Sequence, residues 1–137
     1  MRKLLKSIYV NTVLVLIGAG IMVWPRFVMA HGWKAPSDAA QTLNPIQNSE
    51  SSIRQGRQIY GDLCTGCHGV GGKGNGPIAD KLNPKPANLV KRLKNHSEGD
   101  FFWKISNGRG PMPGFKDQLS ERQIWQVINY IKSLSGK

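Results

Sequence analysis

The sequence contains little that could cross-link a fold, because its 137 residues include only two cysteines and both lie in one C-x-x-C segment. A disulfide framework and a zinc site with four cysteine ligands are therefore excluded. No long segment alternates between apolar and polar residues, so extended strands are not expected. The 16 glycines and 8 prolines instead predict a small chain with many turns.

Acidic residues are also few, with 8 Asp and Glu against 19 Lys and Arg, a formal charge of +11. Four of the basic residues lie in the first 30 positions, which leaves 15 basic and 8 acidic residues, or +7, in the remainder. This charge favours acidic protein partners or an anionic membrane surface. Nucleic acid is not expected as a partner, because the basic residues are dispersed and no nucleic-acid-binding motif accompanies them.

The first 30 residues have the layout of a secretory signal peptide. Basic residues precede an apolar run at 12–24, and Val28 and Ala30 are small residues at the positions that a signal peptidase reads. Cleavage after Ala30 is one prediction, and an uncleaved anchor that spans a thin bilayer with residues 8–24 is the other. Both place the remainder in the periplasm or at the outer face of the inner membrane.

The exported part divides into an arm at residues 31–50 and one domain at residues 51–137. The arm is rich in Ala, Pro, Asn, Gln and Ser without a clear period, which predicts an extended or loosely docked linker. In this arm, Trp33 and Ile46 are the residues that could pack on the domain.

Helical periodicity and serine caps predict the elements of the domain. A first helix should begin near Ser51 or Ser52, and a second should run over residues 98–106 and end at Gly108. The last helix follows Ser120, with Gln123 completing a capping box. A short helix is predicted over residues 78–82, within a glycine- and proline-rich middle segment.

The pentapeptide at residues 64–68, Cys-Thr-Gly-Cys-His, carries the chemistry. Two thiols three residues apart can each add to a vinyl group of haem while the adjacent histidine binds the iron. A thioredoxin-like dithiol would be expected near a strand-helix-strand pattern, which is absent, and zinc would lack ligands because only His31 and His96 remain. We therefore predict one covalent haem c held by Cys64 and Cys67, with His68 as an iron ligand.

In this region the chain resembles the class I cytochromes c, over about residues 51–137. The first helix of that family carries a glycine and an aromatic residue before the haem motif, matched by Gly56 and Tyr60. Its last helix carries an aromatic residue that crosses the first helix, matched best by Tyr130 with Trp125 and Val127 nearby. The resemblance implies an all-α, loop-rich fold of about three to five helices around one covalent haem.

The same resemblance implies two further site residues. The sixth iron ligand of the family is a methionine in a Gly- and Pro-rich loop, and residues 108–115 match that loop with Met112. His96 is the rival ligand, although its neighbours indicate a polar surface segment. Pro77 matches the family proline whose carbonyl accepts a hydrogen bond from the iron-binding histidine.

Histidine and methionine together fill both axial positions of the iron, which leaves no position for substrate. The predicted function is therefore one-electron transfer between extracytoplasmic redox partners, as a free shuttle or as a subunit of a redox enzyme, and not catalysis. The alternative is a haem enzyme or gas sensor with an open or displaceable sixth ligand. A non-haem metal or redox protein is a third possibility.

Overall fold

The computed structural model describes residues 32–136, and the predicted leader lies outside this range. Within the range the chain is helical, and its β structure is limited to an isolated bridge between Arg109 and Met112. The helices are α1 (Ser37–Ala40), α2 (Glu50–Leu63), α3 (Thr65–His68), α4 (Leu89–Arg92), α5 (Glu98–Asn107) and α6 (Glu121–Leu134). A 3-10 turn at Ala79–Lys81 lies between α3 and α4. The all-α prediction is confirmed, with α2, α5 and α6 as the long elements.

No helix between residues 32 and 136 is both long enough and apolar enough to span a bilayer.

The predicted caps of α5 and α6 are confirmed. The Ser97 side chain accepts a hydrogen bond from the backbone N–H of Asp100 at 3.1 Å, and Ser120 and Gln123 form the capping box at the start of α6. Helix α5 ends at Gly108, whose φ of +66° lies in the region that glycine adopts most readily. Local side-chain chemistry therefore places both helix boundaries.

The predicted start of α2 near Ser51 or Ser52 is wrong by about two residues. Helix α2 begins at Glu50, and Ser49 is its cap, accepting a hydrogen bond from the Ser52 N–H at 3.3 Å. Ser52 is instead buried in the first turn, where its hydroxyl accepts a hydrogen bond from Asn129 Nδ2 at 2.8 Å. Three of the four residues 49–52 are serines that can each act as a cap, and the tertiary contact with Asn129 selects which one does.

Helices α2 and α6 cross in direct backbone contact at Gly56. A Cβ atom added there would lie 2.5 Å from the Gln126 carbonyl carbon, closer still to its oxygen, and 3.0 Å from the Val127 nitrogen. One turn further along α2, the Tyr60 ring packs against the Tyr130 ring with centroids 5.1 Å apart and planes tilted by 59°. The predicted glycine and aromatic contacts between the first and last helices are confirmed.

The hydrophobic core lies between these two helices and α5. Phe102 stacks on Trp125 with centroids 4.3 Å apart, and Phe101 and Ile105 of α5 are buried. More than half of the buried cluster comes from α6, which is therefore the central element of the domain. The members of the buried cluster are Tyr60, Phe101, Ile105, Phe115, Ile124, Trp125, Val127, Ile128, Tyr130 and Ile131.

The arm is docked on the domain by several hydrogen bonds, so it is held more firmly than the extended or loosely docked linker that its composition predicts. Asn44 Nδ2 donates hydrogen bonds to Asn129 Oδ1 and to Glu98 Oε2, each at 2.9 Å. Asn129 is fully buried and also donates to the backbone carbonyl of Ile46 at 3.2 Å. Ile46 packs against the core, as the sequence allowed. Because a buried amide has to be hydrogen-bonded, Asn129 holds the arm in place.

Candidate functional site

The predicted haem-attachment motif lies where α2 ends and α3 forms a single turn. The backbone N–H groups of Cys67 and His68 approach the Cys64 carbonyl at 3.3 and 2.9 Å, so the motif is helical. Residues three positions apart lie on the same side of a helical turn, which brings the two thiols together. Both cysteines are free thiols and half-buried, and Cys64 packs against the hydrophobic core.

The electrostatics of Cys64 differ from those of a redox-active dithiol. Burial, with a smaller contribution from Cys67, raises the pKa of the Cys64 thiol to about 12. Reactive dithiols depend on a lowered thiol pKa that exposes a thiolate near neutral pH. The raised pKa therefore argues against Cys64 as the attacking thiolate of a thioredoxin-like dithiol.

Burial keeps the His68 ring neutral, and one hydrogen bond holds its orientation. The residue is only 9% exposed, and its Nδ1 lies 3.0 Å from the backbone carbonyl oxygen of Ala87. Burial lowers the pKa of His68, and the hydrogen bond to Ala87 opposes this effect without cancelling it. A neutral ring that donates from Nδ1 presents the lone pair of Nε2, which is the arrangement that metal-binding histidines use.

The prediction that Pro77 supplies the supporting carbonyl is wrong, because that carbonyl belongs to Ala87. Pro77 is exposed and its neighbours pack behind α3, where the Gly76 N–H donates to the Cys67 carbonyl at 3.0 Å. The chain then makes the 3-10 turn and returns to His68 through the segment before α4. The Leu89 N–H donates to the Gly72 carbonyl at 2.7 Å and ties the returning segment to the glycine-rich loop.

Gly74 allows the returning segment to approach. Its φ is +78°, and an added Cβ atom would lie 3.1 Å from the Ala87 backbone and closer still to the Pro86 carbonyl oxygen. The Gly74 N–H also donates to the His68 carbonyl at 2.9 Å. A side chain at this position would therefore displace the carbonyl that holds His68.

Replacing Gly74 with alanine is expected to destabilise the protein by about 1–3 kcal/mol, because the backbone there suits only glycine. If His68 binds iron as predicted, the change should also raise the reduction potential by about 20–60 mV, since a weaker hydrogen bond would make His68 a poorer electron donor. Denaturant titration and spectroelectrochemistry measure the two effects. The matched control is Gly71→Ala, whose Cβ atom would meet only the Lys73 side chain at 3.9 Å. Equal potentials for the two variants would contradict the role assigned to the Ala87 carbonyl.

Met112 lies in a tight turn between α5 and α6. The Arg109 N–H donates to the Met112 carbonyl at 2.9 Å, and the Met112 N–H donates back to the Arg109 carbonyl at 3.0 Å. The loop folds onto the end of α5 because the Phe115 N–H donates to the Ile105 carbonyl at 2.9 Å. Met112 is half-buried and packs against the same hydrophobic cluster as Cys64. The turn therefore presents a thioether from a fixed backbone next to the core.

His96, the rival ligand, has other partners. Its Nδ1 lies 2.8 Å from Asp100 Oδ2 and 3.2 Å from Lys104 Nζ, and its side chain is only 9% exposed. The neighbours Lys94, Asn95 and Ser97 are exposed, as expected of a polar surface segment, but the His96 ring itself turns inward to Asp100. An imidazole paired with a carboxylate on α5 is a poorer candidate than Met112. Among residues 32–136, no three His, Cys, Asp or Glu side chains converge as a metal site would require.

The comparisons with known proteins converge on one family. The family described as "Cytochrome C oxidase, cbb3-type, subunit III" matches residues 51–131. The cytochrome c6 of Synechococcus sp. (strain ATCC 27167 / PCC 6312) is 32% identical over 87 residues, which cover 64% of this chain and 74% of that protein. The chloroplastic cytochrome c6 of Chlamydomonas reinhardtii is 31% identical over 95 residues, which cover 66% of this chain and 60% of that protein.

Two larger proteins contain a similar region. The quinohemoprotein alcohol dehydrogenase ADH IIB of Pseudomonas putida is 26% identical over 99 residues, which cover 72% of this chain but only 14% of the enzyme. A chain of the reducing HAO-like protein complex of Kuenenia stuttgartiensis is similar in structure, with a TM-score of 0.58 and 29% identity. That likeness covers 66% of this chain and 46% of the other.

Proposed function

This chain belongs to the Cytochrome C oxidase, cbb3-type, subunit III family and is a class I c-type cytochrome with one covalent haem c, and we propose on that premise that it passes single electrons between extracytoplasmic redox partners. Two observations support the proposal: His68 is buried directly after the two thiols, and the Met112 turn presents a thioether at the hydrophobic cluster that Cys64 also contacts. His68 and Met112 would both bind the haem iron, which would leave no open position for a substrate.

The donor set fits the cofactor. Cys64 and Cys67 are half-buried thiols one helical turn apart, and they would form the two thioether bonds. His68 and Met112 would be the axial ligands. When bound, the haem supplies an iron that gains and loses one electron. The hydrogen bond to Ala87 would keep the orientation of the His68 ring. The hydrogen bonds of the Met112 turn would hold the thioether in place in both oxidation states of the iron.

The positive surface charge supports the proposal that the docking partner is acidic. Exposed basic residues follow one another between the glycine-rich loop and α5, and the one acidic residue among them, Asp80, is paired with Lys85 at 2.7 Å. Added salt should therefore slow electron transfer by screening this surface. The exposed lysines are Lys73, Lys81, Lys85, Lys91 and Lys94.

The cellular setting is part of the proposal. A leader that is cleaved after Ala30, or retained as an anchor, would deliver the arm and the domain to the periplasm or to the outer face of the inner membrane. The relatives named above include both small cytochromes and segments of larger enzymes. Both roles, a free shuttle and a subunit of a redox enzyme, are compatible with an electron carrier of this size.

Replacing Met112 with alanine tests the proposal. The wild-type ferrous protein should resist carbon monoxide, whereas Met112→Ala should bind it rapidly, because the sixth position becomes open. The variant should also lose the methionine-to-iron charge-transfer band, and Met112→His should lower the potential by on the order of 100 mV. Stopped-flow spectra and redox titration measure these effects.

The control for this test is Leu119→Ala, which removes another half-buried apolar side chain from the same cluster. It should keep the charge-transfer band and the resistance to carbon monoxide. If the wild-type protein itself bound carbon monoxide quickly and lacked the band, the carrier proposal would give way to a haem enzyme or gas sensor with an open sixth position.

A further inference from the structure

Trp33, in the arm, lies against two basic side chains from different parts of the domain. Lys104 Nζ, on α5, is 5.5 Å from the centroid of the indole, and Arg109 Cζ is 5.0 Å from it. Cations at this distance from the face of a tryptophan are attracted by the charge distribution of the ring. Trp33 thus joins the arm to α5 and to the residue that opens the Met112 turn.

A buried ionic cluster anchors the arm next to Trp33. The backbone N–H of Ala35 donates to Asp100 Oδ1 at 2.8 Å, and Asp100 is only 4% exposed. The other carboxylate oxygen, Oδ2, lies 2.5 Å from Lys104 Nζ and 2.8 Å from His96 Nδ1. Lys104 therefore contacts both Asp100 and the indole, so the cluster and the ring support each other.

The next part of the arm is held by close backbone packing. An added Cβ atom at Gly99 would lie 2.7 Å from the Thr42 carbonyl oxygen and closer still to that of Ala39. The Ser97 hydroxyl donates to the Ala40 carbonyl at 2.5 Å. With Asn44 bound to Asn129, the arm is fixed at several points on both sides of α1.

Arg109 links the contacts of Trp33 to Met112, the proposed sixth iron ligand. The reciprocal backbone hydrogen bonds between Arg109 and Met112, at 2.9 and 3.0 Å, make the two residues one structural unit. A displacement of Arg109 therefore moves the backbone that carries Met112. The backbone of the turn packs closely against Gly108, where an added Cβ atom would lie 2.7 Å from the Met112 carbonyl oxygen. The φ of Gly108 is +66°, and this close packing limits how far the turn can adjust.

We propose that residues 33–44 form a strap that holds the Met112 turn, and that Trp33 is a positioning residue for the sixth iron ligand, acting through Arg109. The inference rests on the proposed function, because it requires Met112 to bind iron. The strap stabilises the bound thioether against competing ligands, and it does so without contact between Trp33 and the iron site.

Imidazole titration of the full-length ferric holoprotein tests the strap. Trp33→Ala should bind imidazole about tenfold more tightly than wild type, with parallel loss of the methionine-to-iron charge-transfer band, because the displaced turn gives up Met112 more easily. Trp33→Phe, which keeps an aromatic face, should recover much of the wild-type resistance. Leu43→Ala is the matched control, because Leu43 lies in the same arm and is 86% exposed, so its imidazole affinity should equal that of wild type.

A second variant keeps the proposal testable if Trp33→Ala folds poorly. Arg109→Gln changes an exposed residue at the other end of the contact and should raise imidazole affinity by a similar factor. Combining it with Trp33→Phe should give less than the product of the two single effects, because both changes act on one contact.

Met112→Ala, titrated in parallel, separates this proposal from the proposed function. If the wild-type band is absent or survives Met112→Ala, the ligand assignment fails, and the strap fails with it. If the band depends on Met112 but Trp33→Ala and Arg109→Gln keep the wild-type imidazole affinity, only the strap is overturned.

Discussion

Replacing both Cys64 and Cys67 with alanine is expected to abolish covalent haem attachment and to leave the domain largely unfolded. The hydrophobic cluster of this domain is small, and a chain of this size depends on a large apolar cofactor to complete its core. The intact mass of the variant should be lower than that of the wild type by one haem and two sulfur atoms. Far-UV circular dichroism should show the loss of helix. Both measurements need protein matured with the cytochrome c assembly machinery.

The control for the double cysteine variant is Thr65→Ala, which lies between the two thiols. Its hydroxyl donates only to the Gly61 carbonyl, at 2.7 Å, so the variant should keep the haem and most of its stability. A wild-type protein without the additional mass would favour the non-haem alternative, and a double variant that retained the mass would refute the assignment of the two cysteines. The same wild-type spectrum reports whether the leader is cleaved after Ala30.

Replacing Gly56 with alanine is expected to cost about 3 kcal/mol or more of unfolding free energy. The added methyl group would overlap the Gln126 carbonyl and force α2 and α6 apart along the contact that holds the core together. The higher helix propensity of alanine offsets only about 1 kcal/mol of this cost. Denaturant unfolding of the holoprotein measures the change through the midpoint and the slope of the transition.

Gly61→Ala is the matched control for Gly56, because both glycines lie in α2 and a Cβ atom at Gly61 would have no neighbour within 4 Å. Alanine there should stabilise the protein by about 0.5–1 kcal/mol, since it limits the unfolded chain and favours helix. The opposite signs of the two changes would show that the cost at Gly56 comes from the helix crossing. If both variants were stabilised alike, the two helices would not be in contact at Gly56.

Features that depend on near neighbours in the chain were predictable. The caps of α5 and α6 follow from a serine and the residues one turn later, and the glycine and aromatic residues of α2 follow from the family resemblance. The C-x-x-C-H motif is local as well, because the two thiols and the histidine occupy successive positions around one turn. Short-range geometry determines the caps and the motif without knowledge of the rest of the fold, whereas Gly56 and Tyr60 were identified only by the resemblance.

The wrongly predicted cap and the wrongly predicted carbonyl depend on residues distant in the chain. The cap of α2 is Ser49 because Ser52 binds Asn129, and the carbonyl beside His68 belongs to Ala87, 19 positions away. The arm docks because buried polar groups on α5 and α6 need partners that it supplies. Residue type alone does not show which of several equivalent serines meets such a partner.

The sequence by itself determined the cofactor class, the attachment residues to test and the three long helices, because each follows from side-chain chemistry at short spacing. Only the tertiary structure decided that Ala87, and not Pro77, supports His68, and that Trp33 reaches the Met112 turn. The physical reason is that every residue carries a backbone carbonyl, so the one that faces a histidine is selected by how the chain returns and not by which residue bears it.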